Sequence, residues 1–273
     1  MSLRLIWRDA TRLPVDGGRL RPDGLADLAP AEAAAVRLPV GNGEVSLGDL
    51  FAVSGLDAPP GTLRIEGDLR GVARVGQGMG SGHLIVSGNL GSDVGSEMTG
   101  GRIDVYGNVG PWAAAEMRGG LIHVHGHAGD RLGSARPGSR LGMRDGIVLV
   151  DGDAGACVGQ SMRRGLIAVG GAIGPAAGHA MIAGSLFVFG SAGMHPGLGM
   201  RRGTLLFGTG IDPALLLPTF VPSGHDRPPF LAVYLRELAA LGFKPAGRRT
   251  PRLRRYNGDL SIGGQGEILV AVE

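Results

Sequence analysis

Three histidines alternate along one short segment, His123-Val-His125-Gly-His127. On an extended chain, alternation puts every second side chain on one side, and imidazoles so spaced can ligate zinc on a strand surface. No cysteine or carboxylate inside the run offers a natural fourth ligand, so no metal site is assigned to it. A second chemistry is anion binding by arginine, for which Arg118, Arg163, Arg164, Arg201 and Arg202 recur at related places in the chain. A third is phosphate cradling by glycine, suggested by Gly152-Asp-Ala-Gly155-Ala-Cys-Val-Gly159. That motif needs one glycine-rich turn between a strand and a helix, whereas this spacing recurs along the chain with no helical segment after it. His179, His195 and the single cysteine, Cys157, stand apart from one another, and no set of nucleophile, base and orienting acid can be assembled. No catalytic residue is therefore assigned.

The elements that must position these residues follow from a repeat. Met79, Met98, Met117, Met143, Met162, Met181 and Met200 each lie three residues before a glycine, namely Gly82, Gly101, Gly120, Gly146, Gly165, Gly184 and Gly203. The steps between those glycines are 19, 19, 26, 19, 19 and 19 residues. A fixed short period is the signature of a solenoid. Counting each glycine as position zero, the second position holds Leu84, Ile103, Ile122, Val148, Ile167, Leu186 and Leu205. The fourth holds Val86, Val105, Val124, Val150, Val169, Val188 and Phe207. Apolar, mostly β-branched residues two apart read as a short strand with one buried face. The third position, running through Ile85, Asp104, His123, Leu149, Ala168, Phe187 and Leu206, must then point away from the coil interior. Recurrent glycines at the sixth and ninth positions make the corners, with Leu90, Val109, Ala128, Ala154, Ile173 and Ala192 between them. Nineteen extended residues make a loop of roughly 60 Å, enough for a three-sided coil with faces of about 20 Å. The expected fold is all-β, a right-handed parallel β-helix of about 19-residue coils. Neither a six-residue period nor a recurrent aspartate, the marks of two other β-helix classes, is visible. The methionines are read as a core stack of flexible side chains and not as a sulfur site.

The pattern divides the chain into an N-terminal cap region at 1–60, the coils at 61–209, and a C-terminal helix and basic tail at 210–273. The cap contains an opening strand near Leu3–Trp7, an alanine-rich helix after Pro30 and the segment Leu47–Gly55, before a first coil at Gly61 with Leu63 and Ile65 inward. After Arg227-Pro-Pro, a helix carries Phe230, Leu231, Tyr234, Leu235, Leu238 and Leu241 on one face and closes at Gly242. It is expected to pack on the last coil or on another subunit. The tail, with Arg248, Arg249, Arg252, Arg254 and Arg255, contacts an acidic surface or stays solvated, and ends in a strand.

Two irregularities bear on function. The unit at Gly120 carries seven additional residues within Ser134-Ala-Arg136-Pro-Gly138-Ser-Arg140, an outward loop that serves as a docking element or is a tolerated insertion. Two residues before each unit-opening glycine stand Thr99, Arg118, Arg144, Arg163, Ile182 and Arg201, with Arg164 and Arg202 following two of them. Like charges on adjacent coils, ~5 Å apart, repel by about 0.8 kcal/mol in water. Such a stripe suits an anionic partner, either a protein patch or a polyglutamyl chain; the alternative is a solvated face of splayed arginines.

Bulk composition excludes several classes. With 52 glycines among 273 residues but no three-residue glycine period, the chain is not collagen-like. A net charge of +3 is too mild to call for nucleic acid. No apolar run approaches the ~18 residues of a membrane span, and the first residues lack a secretory h-region, so a cytoplasmic location and no membrane partner are expected. One cysteine forbids an internal disulfide and agrees with a reducing compartment.

The unit G-x-[IL]-x-V-x-G-x-x-G-x-x-x-G-x-x-M, the Leu47–Gly55 segment and the Arg255-Tyr-Asn-Gly-Asp259…Gly266-Glu-Ile ending resemble the C subunit of formylmethanofuran dehydrogenase over essentially the whole chain. The repeat alone is also similar to the C-terminal β-helix of the glutamate synthase large subunit; the flanking segments favour the first family. That resemblance implies one of two settings. One is the archaeal dehydrogenase, which reduces CO2 onto methanofuran with a tungsten or molybdenum pterin and iron–sulfur clusters in other subunits. The other is the formyltransferase/hydrolase complex of methylotrophic bacteria, which moves a formyl group from tetrahydromethanopterin to a methanofuran analogue and releases formate. An Ala-, Gly- and Arg-rich chain with one lysine favours the bacterial setting. In either, the resemblance implies a scaffold subunit without redox centre or catalytic residues. It would bind sister subunits and hold the polyglutamyl tail of the C1 carrier at the arginine stripe. A glutamate-synthase-like accessory domain is the alternative.

Overall fold

The computed structural model describes residues 2–244 and 252–272; Arg248 and Arg249 lie outside them. Each repeat contributes one short strand, and the strands stack in parallel and in register. The second-position residues form one continuous row, Leu84, Ile103, Ile122, Val148, Ile167, Leu186 and Leu205, with every member fully buried. A second ladder of single bridges joins Leu69, Leu90, Val109, Ala128, Ala154, Ile173 and Ala192, the residues between the glycine corners. These two ladders, closed by the methionine-bearing turns, make a parallel β-helix.

The methionine column lies inside it: all seven side chains are buried. The structure also explains why methionine and glycine travel together. A Cβ on Gly101 would stand 2.7 Å from the methyl of Met79, and one on Gly120 would stand 2.7 Å from that of Met98. The same overlap recurs up to Gly266 above Met200, where the distance is again 2.7 Å. The backbone at Gly101 and Gly120 also takes positive φ, 80° and 90°, which side chains resist. Each unbranched Met therefore fills a slot that the next coil leaves open by having no side chain.

Both ends of the ladder use strands remote in sequence. Leu3–Trp7 pairs in parallel with Thr62–Glu66, placing Leu3 beside Leu63 and Leu5 beside Ile65 as a first rung. Phe51–Gly55 then runs antiparallel along its outer edge. At the other end Gly266–Val272 adds a parallel rung to Thr204–Phe207, so Ile268 continues the row after Leu205. The antiparallel strands Arg252–Gly258 and Val221–Asp226 complete a 13-stranded sheet. The ladder thus begins upstream of residue 61 and resumes after 209. A change of direction at each end stops further parallel stacking of other chains. The basic tail is accordingly part of the sheet where it is described, with Arg255 3.2 Å from Glu267 of the neighbouring strand.

The helix Pro229–Ala240 packs on the last coil, as expected, but is not confined to it. It lies across the outward face of several coils, where Leu231, Leu235 and Leu238 pack with Leu149, Ala168, Phe187, Leu206 and Leu269 in a second apolar cluster. The third-position side chains do point out of the coil, but from Leu149 onward they are the floor of a second core. Phe187 meets Tyr234 edge-on at 5.3 Å between ring centroids, and Phe189 packs near Phe243 at 5.7 Å.

Candidate functional site

The turn that follows each methionine brings the arginines to one edge of the helix-covered face. Arg163 and Arg164 come from one coil, and Arg201 and Arg202 from the second coil beyond it; all four are exposed. Between them the intervening coil presents Ile182 and Ala183. These residues, the strand edges at Ile147, Leu166 and Ser185, Val233, Tyr234 and Glu237 of the helix, and Leu241 at its C-terminal end line a groove of about 1150 Å³. Its floor and one wall are mainly apolar, its opposite rim is basic, and Asp145 and Glu237 are the carboxylates within it.

None of the four rim arginines has an ion-pair partner among the described residues, unlike Arg4, Arg70, Arg74 and Arg102. The pairing of those others has a clear origin. Arg4 donates to both oxygens of Glu66 at 2.9 and 2.7 Å, which holds the Glu66 carboxyl below its ordinary range. Unpaired guanidiniums beside an apolar wall suit a ligand with carboxylates along one side and hydrocarbon along the other.

The stripe is not continuous. Arg144 is half-buried and lies 3.8 Å from Glu116, Ile182 interrupts the column, and Arg118 stands in the same column outside the groove. The anion-binding arrangement is therefore two arginine pairs two coils apart. The insertion is divided in the same way. Arg136 turns back to Asp93 at 2.6 Å, and Ser134 and Ala135 are buried, so that half is tied to the coil. Ser139, Arg140 and Leu141 instead line a second depression of about 910 Å³ on the far side of Arg201 and Arg202.

The other residues singled out in the sequence are dispersed. Cys157 and His195 occupy equivalent left-handed turn positions, φ 57° and 58°, and His179 is in a different part of its coil. The histidine run does not act as three. His127 is largely exposed and accepts from Asp153 N at its Nδ1, whereas His123 and His125 turn to carboxylates from other coils. The absence of a carboxylate within the run is thus irrelevant, because Asp104 and Asp151 arrive through the stacking. Register arithmetic could have found Asp104, which lies one 19-residue step before His123. The helix residues Val233 and Glu237 carried no such signal, because the repeat says nothing about where a helix outside it will lie.

Comparison with known proteins places this architecture. No family model matches the chain. Over 86 residues it is 36% identical to the C subunit of the tungsten-containing formylmethanofuran dehydrogenase 2 of Methanothermobacter wolfeii, covering 30% of this chain and 32% of that one. Over 91 residues it is 36% identical to the C subunit of the molybdenum-containing formylmethanofuran dehydrogenase 1 of Methanothermobacter marburgensis, covering 33% and 23% respectively. The matched region spans less than a third of the length of these curated relatives. Among solved structures, a chain of the formyltransferase/hydrolase complex (FhcABCD) from Methylorubrum extorquens, in complex with methylofuran, superposes with a TM-score of 0.90. It is 35% identical, over 99% of this chain and 100% of that one.

Proposed function

The chain belongs to the family formed by the C subunit of formylmethanofuran dehydrogenase and its counterpart in the formyltransferase/hydrolase complex, and from that premise we propose that it is a scaffold of a formyltransferase/hydrolase complex. Within that assembly it binds sister subunits, contributes no catalytic residue, and lends its basic groove to the polyglutamyl tail of a methanofuran-type carrier. The whole-length likeness to a formyltransferase/hydrolase chain supports this setting over the dehydrogenase, where the matches cover about a third of the chain. The complex would transfer a formyl group from tetrahydromethanopterin and release formate through its other subunits. Among the described residues no helix is long and apolar enough to cross a membrane, which fits an assembly that works in the cytoplasm.

The observation that carries the tail-binding reading is the groove rim: four exposed, unpaired arginines face an apolar wall. A polyglutamyl chain has carboxylates at short intervals on a methylene-rich backbone and fits both. The test is the complex carrying Arg163, Arg164, Arg201 and Arg202 all changed to Gln, titrated with a γ-linked oligoglutamate. Exposed ion pairs contribute about 0.2–1 kcal/mol each, so losing four should weaken binding by roughly fourfold to several hundredfold. Arg118→Gln, outside the groove, should leave binding unchanged. Equal binding by wild type and the fourfold variant, with normal assembly and turnover, would overturn this role.

A further inference from the structure

The outward face ahead of the helix carries a second constellation, unrelated to the groove. Arg102, Asp104 and Tyr106 come from one strand, His123 from the next strand, in parallel register with it, and His125 from just beyond that strand's end. Asp151 enters from the following coil and His83 from the preceding one. Asp104 and His123 are nearly inaccessible to solvent, 3% and 2% exposed, while His125 keeps one edge open beneath the ring of Tyr106, stacked at 4.4 Å.

The hydrogen bonds determine which atoms are left over. Asp151 takes Nε2 of His123 at 3.0 Å with one oxygen and Nδ1 of His125 at 3.0 Å with the other. A carboxylate only accepts, so these two nitrogens carry the protons of the neutral rings. His123 Nδ1 and His125 Nε2 are then bare lone pairs, and both are buried without a hydrogen-bond partner. Across from them is Asp104. Its Oδ2 accepts from His83 at 2.6 Å and from Arg102 Nε at 2.6 Å, and its Oδ1 accepts from Arg102 Nη2 at 2.8 Å, leaving one Oδ1 lone pair. Oδ1 lies 3.8 Å from His125 Nε2, too far for a hydrogen bond.

Two imidazole lone pairs and a carboxylate oxygen therefore converge, within 4.8 Å of one another. The two rings lie against each other, with centroids 3.9 Å apart. We propose that Asp104, His123 and His125 bind one divalent transition-metal ion of the zinc class. The donor set, two imidazole nitrogens and one carboxylate oxygen, suits such an ion at about 2.0–2.2 Å per ligand. Tetrahedral donors at that distance stand about 3.4 Å apart, so the separations close by at most about 1.4 Å. Asp151 fixes both ring orientations from behind, as carboxylates do behind metal-bound histidines, and Arg102 with His83 does the same for Asp104. The ion cross-links two adjacent coils on a stretch of the outer face that lies outside the apolar cluster under the helix.

The test uses the full-length chain in the assembly with which it purifies, so that other bound metals cancel by difference. Zinc per chain is measured after chelation and refilling with Zn(II) alone, for wild type, His125→Ala, Asp104→Asn and His127→Ala. Cobalt(II) absorption in the visible range reports ligand geometry on the same samples. One ion per chain should be lost in His125→Ala and Asp104→Asn, with affinity reduced at least tenfold, and retained in His127→Ala. Thermal melting checks that each variant is folded, and the partly exposed His125 can be changed without opening the core. Equal zinc content in all four proteins would overturn the site. Loss in His127→Ala equal to that in His125→Ala would also overturn it, since that outcome marks a surface histidine run.

Discussion

The outward column of the main ladder changes character between His123 and Leu149, which are direct neighbours in register. From Leu149 to Leu269 the column is apolar and lies beneath the helix Pro229–Ala240. From Arg64 to His123 it holds Arg64, Ile85, Asp104 and His123, none of which belongs to the apolar cluster under that helix. Inward of both halves the same buried apolar columns and the methionine column continue. The difference teaches that the interior fixes how the coils stack, while the exterior column decides what each stretch of the solenoid can hold. Apolar residues recruit a helix and, at its margin, create a groove. Polar residues at the same positions instead build a hydrogen-bonded cluster from side chains 19 to 28 residues apart in sequence.

The comparison can be broken most forcefully on the covered half. Phe187→Ala removes a fully buried ring that meets Tyr234, and should cost about 3–5 kcal/mol in urea unfolding. If the helix were a loosely attached appendage, its loss of contact would scarcely register in the main transition. On the polar half the corresponding truncation is Asp104→Ala. It strips Arg102 and His83 of a shared acceptor, and about 1–3 kcal/mol is expected, less than for the ring because Arg102 can turn to water.

Acid should separate the halves further. The folded Asp104 carboxyl has a depressed pKa, so its contribution is complete above the unfolded-state value of about 3.9 and is lost as pH falls through the lower folded value. Wild type should therefore lose thermal stability more steeply than Asp104→Asn as pH drops below about 4. The two melting curves should converge there, while above about pH 5 their separation stays constant. Parallel curves down to the lowest accessible pH would mean that Asp104 is not held ionised by its partners.

How much of this was legible depends on what the repeat could encode. The methionine and glycine columns and the inward strands follow from periodicity, because each coil repeats the same local problem, and the opening strand at Leu3–Trp7 was legible outside the repeat. The strand Gly266–Val272 could be read as a strand but not as the rung beyond Leu205, since 63 residues separate Thr204 from Glu267. The helix could be read from its apolar face, yet its seat across Leu149–Leu269 is written only in the outward column, which turns apolar at Leu149. The arginines were legible as a stripe, whereas their division into pairs depends on Arg144 turning to Glu116 and on Ile182. The Asp104–His123 neighbourhood was encoded in a simple 19-residue step. Its ligands are hidden along the chain and meet only across the stack.

The smallest effect, and the sharpest on function, is expected at Ile182, the half-buried residue between the two arginine pairs. Ile182→Arg would make the column continuous from Arg163 to Arg201. At a rung spacing of about 4.8 Å the new guanidinium meets one like charge on each side, each repelling by roughly 0.8 kcal/mol in water. Splaying of the side chains and screening over about 8 Å at physiological ionic strength reduce that repulsion. Stability should therefore change by no more than about 0.5 kcal/mol and recover with added salt. Ligand binding divides the alternatives. If the groove holds a polycarboxylate, the added charge should tighten oligoglutamate binding several-fold at low salt and steepen its salt dependence. If the groove instead seats an apolar segment of a sister protein in the complex, the charge must be desolvated against the wall formed by Val233, Tyr234 and Leu241, and assembly weakens while oligoglutamate affinity stays as it was. One substitution thus assigns the groove to the carrier or to the assembly interface by the direction in which each affinity moves.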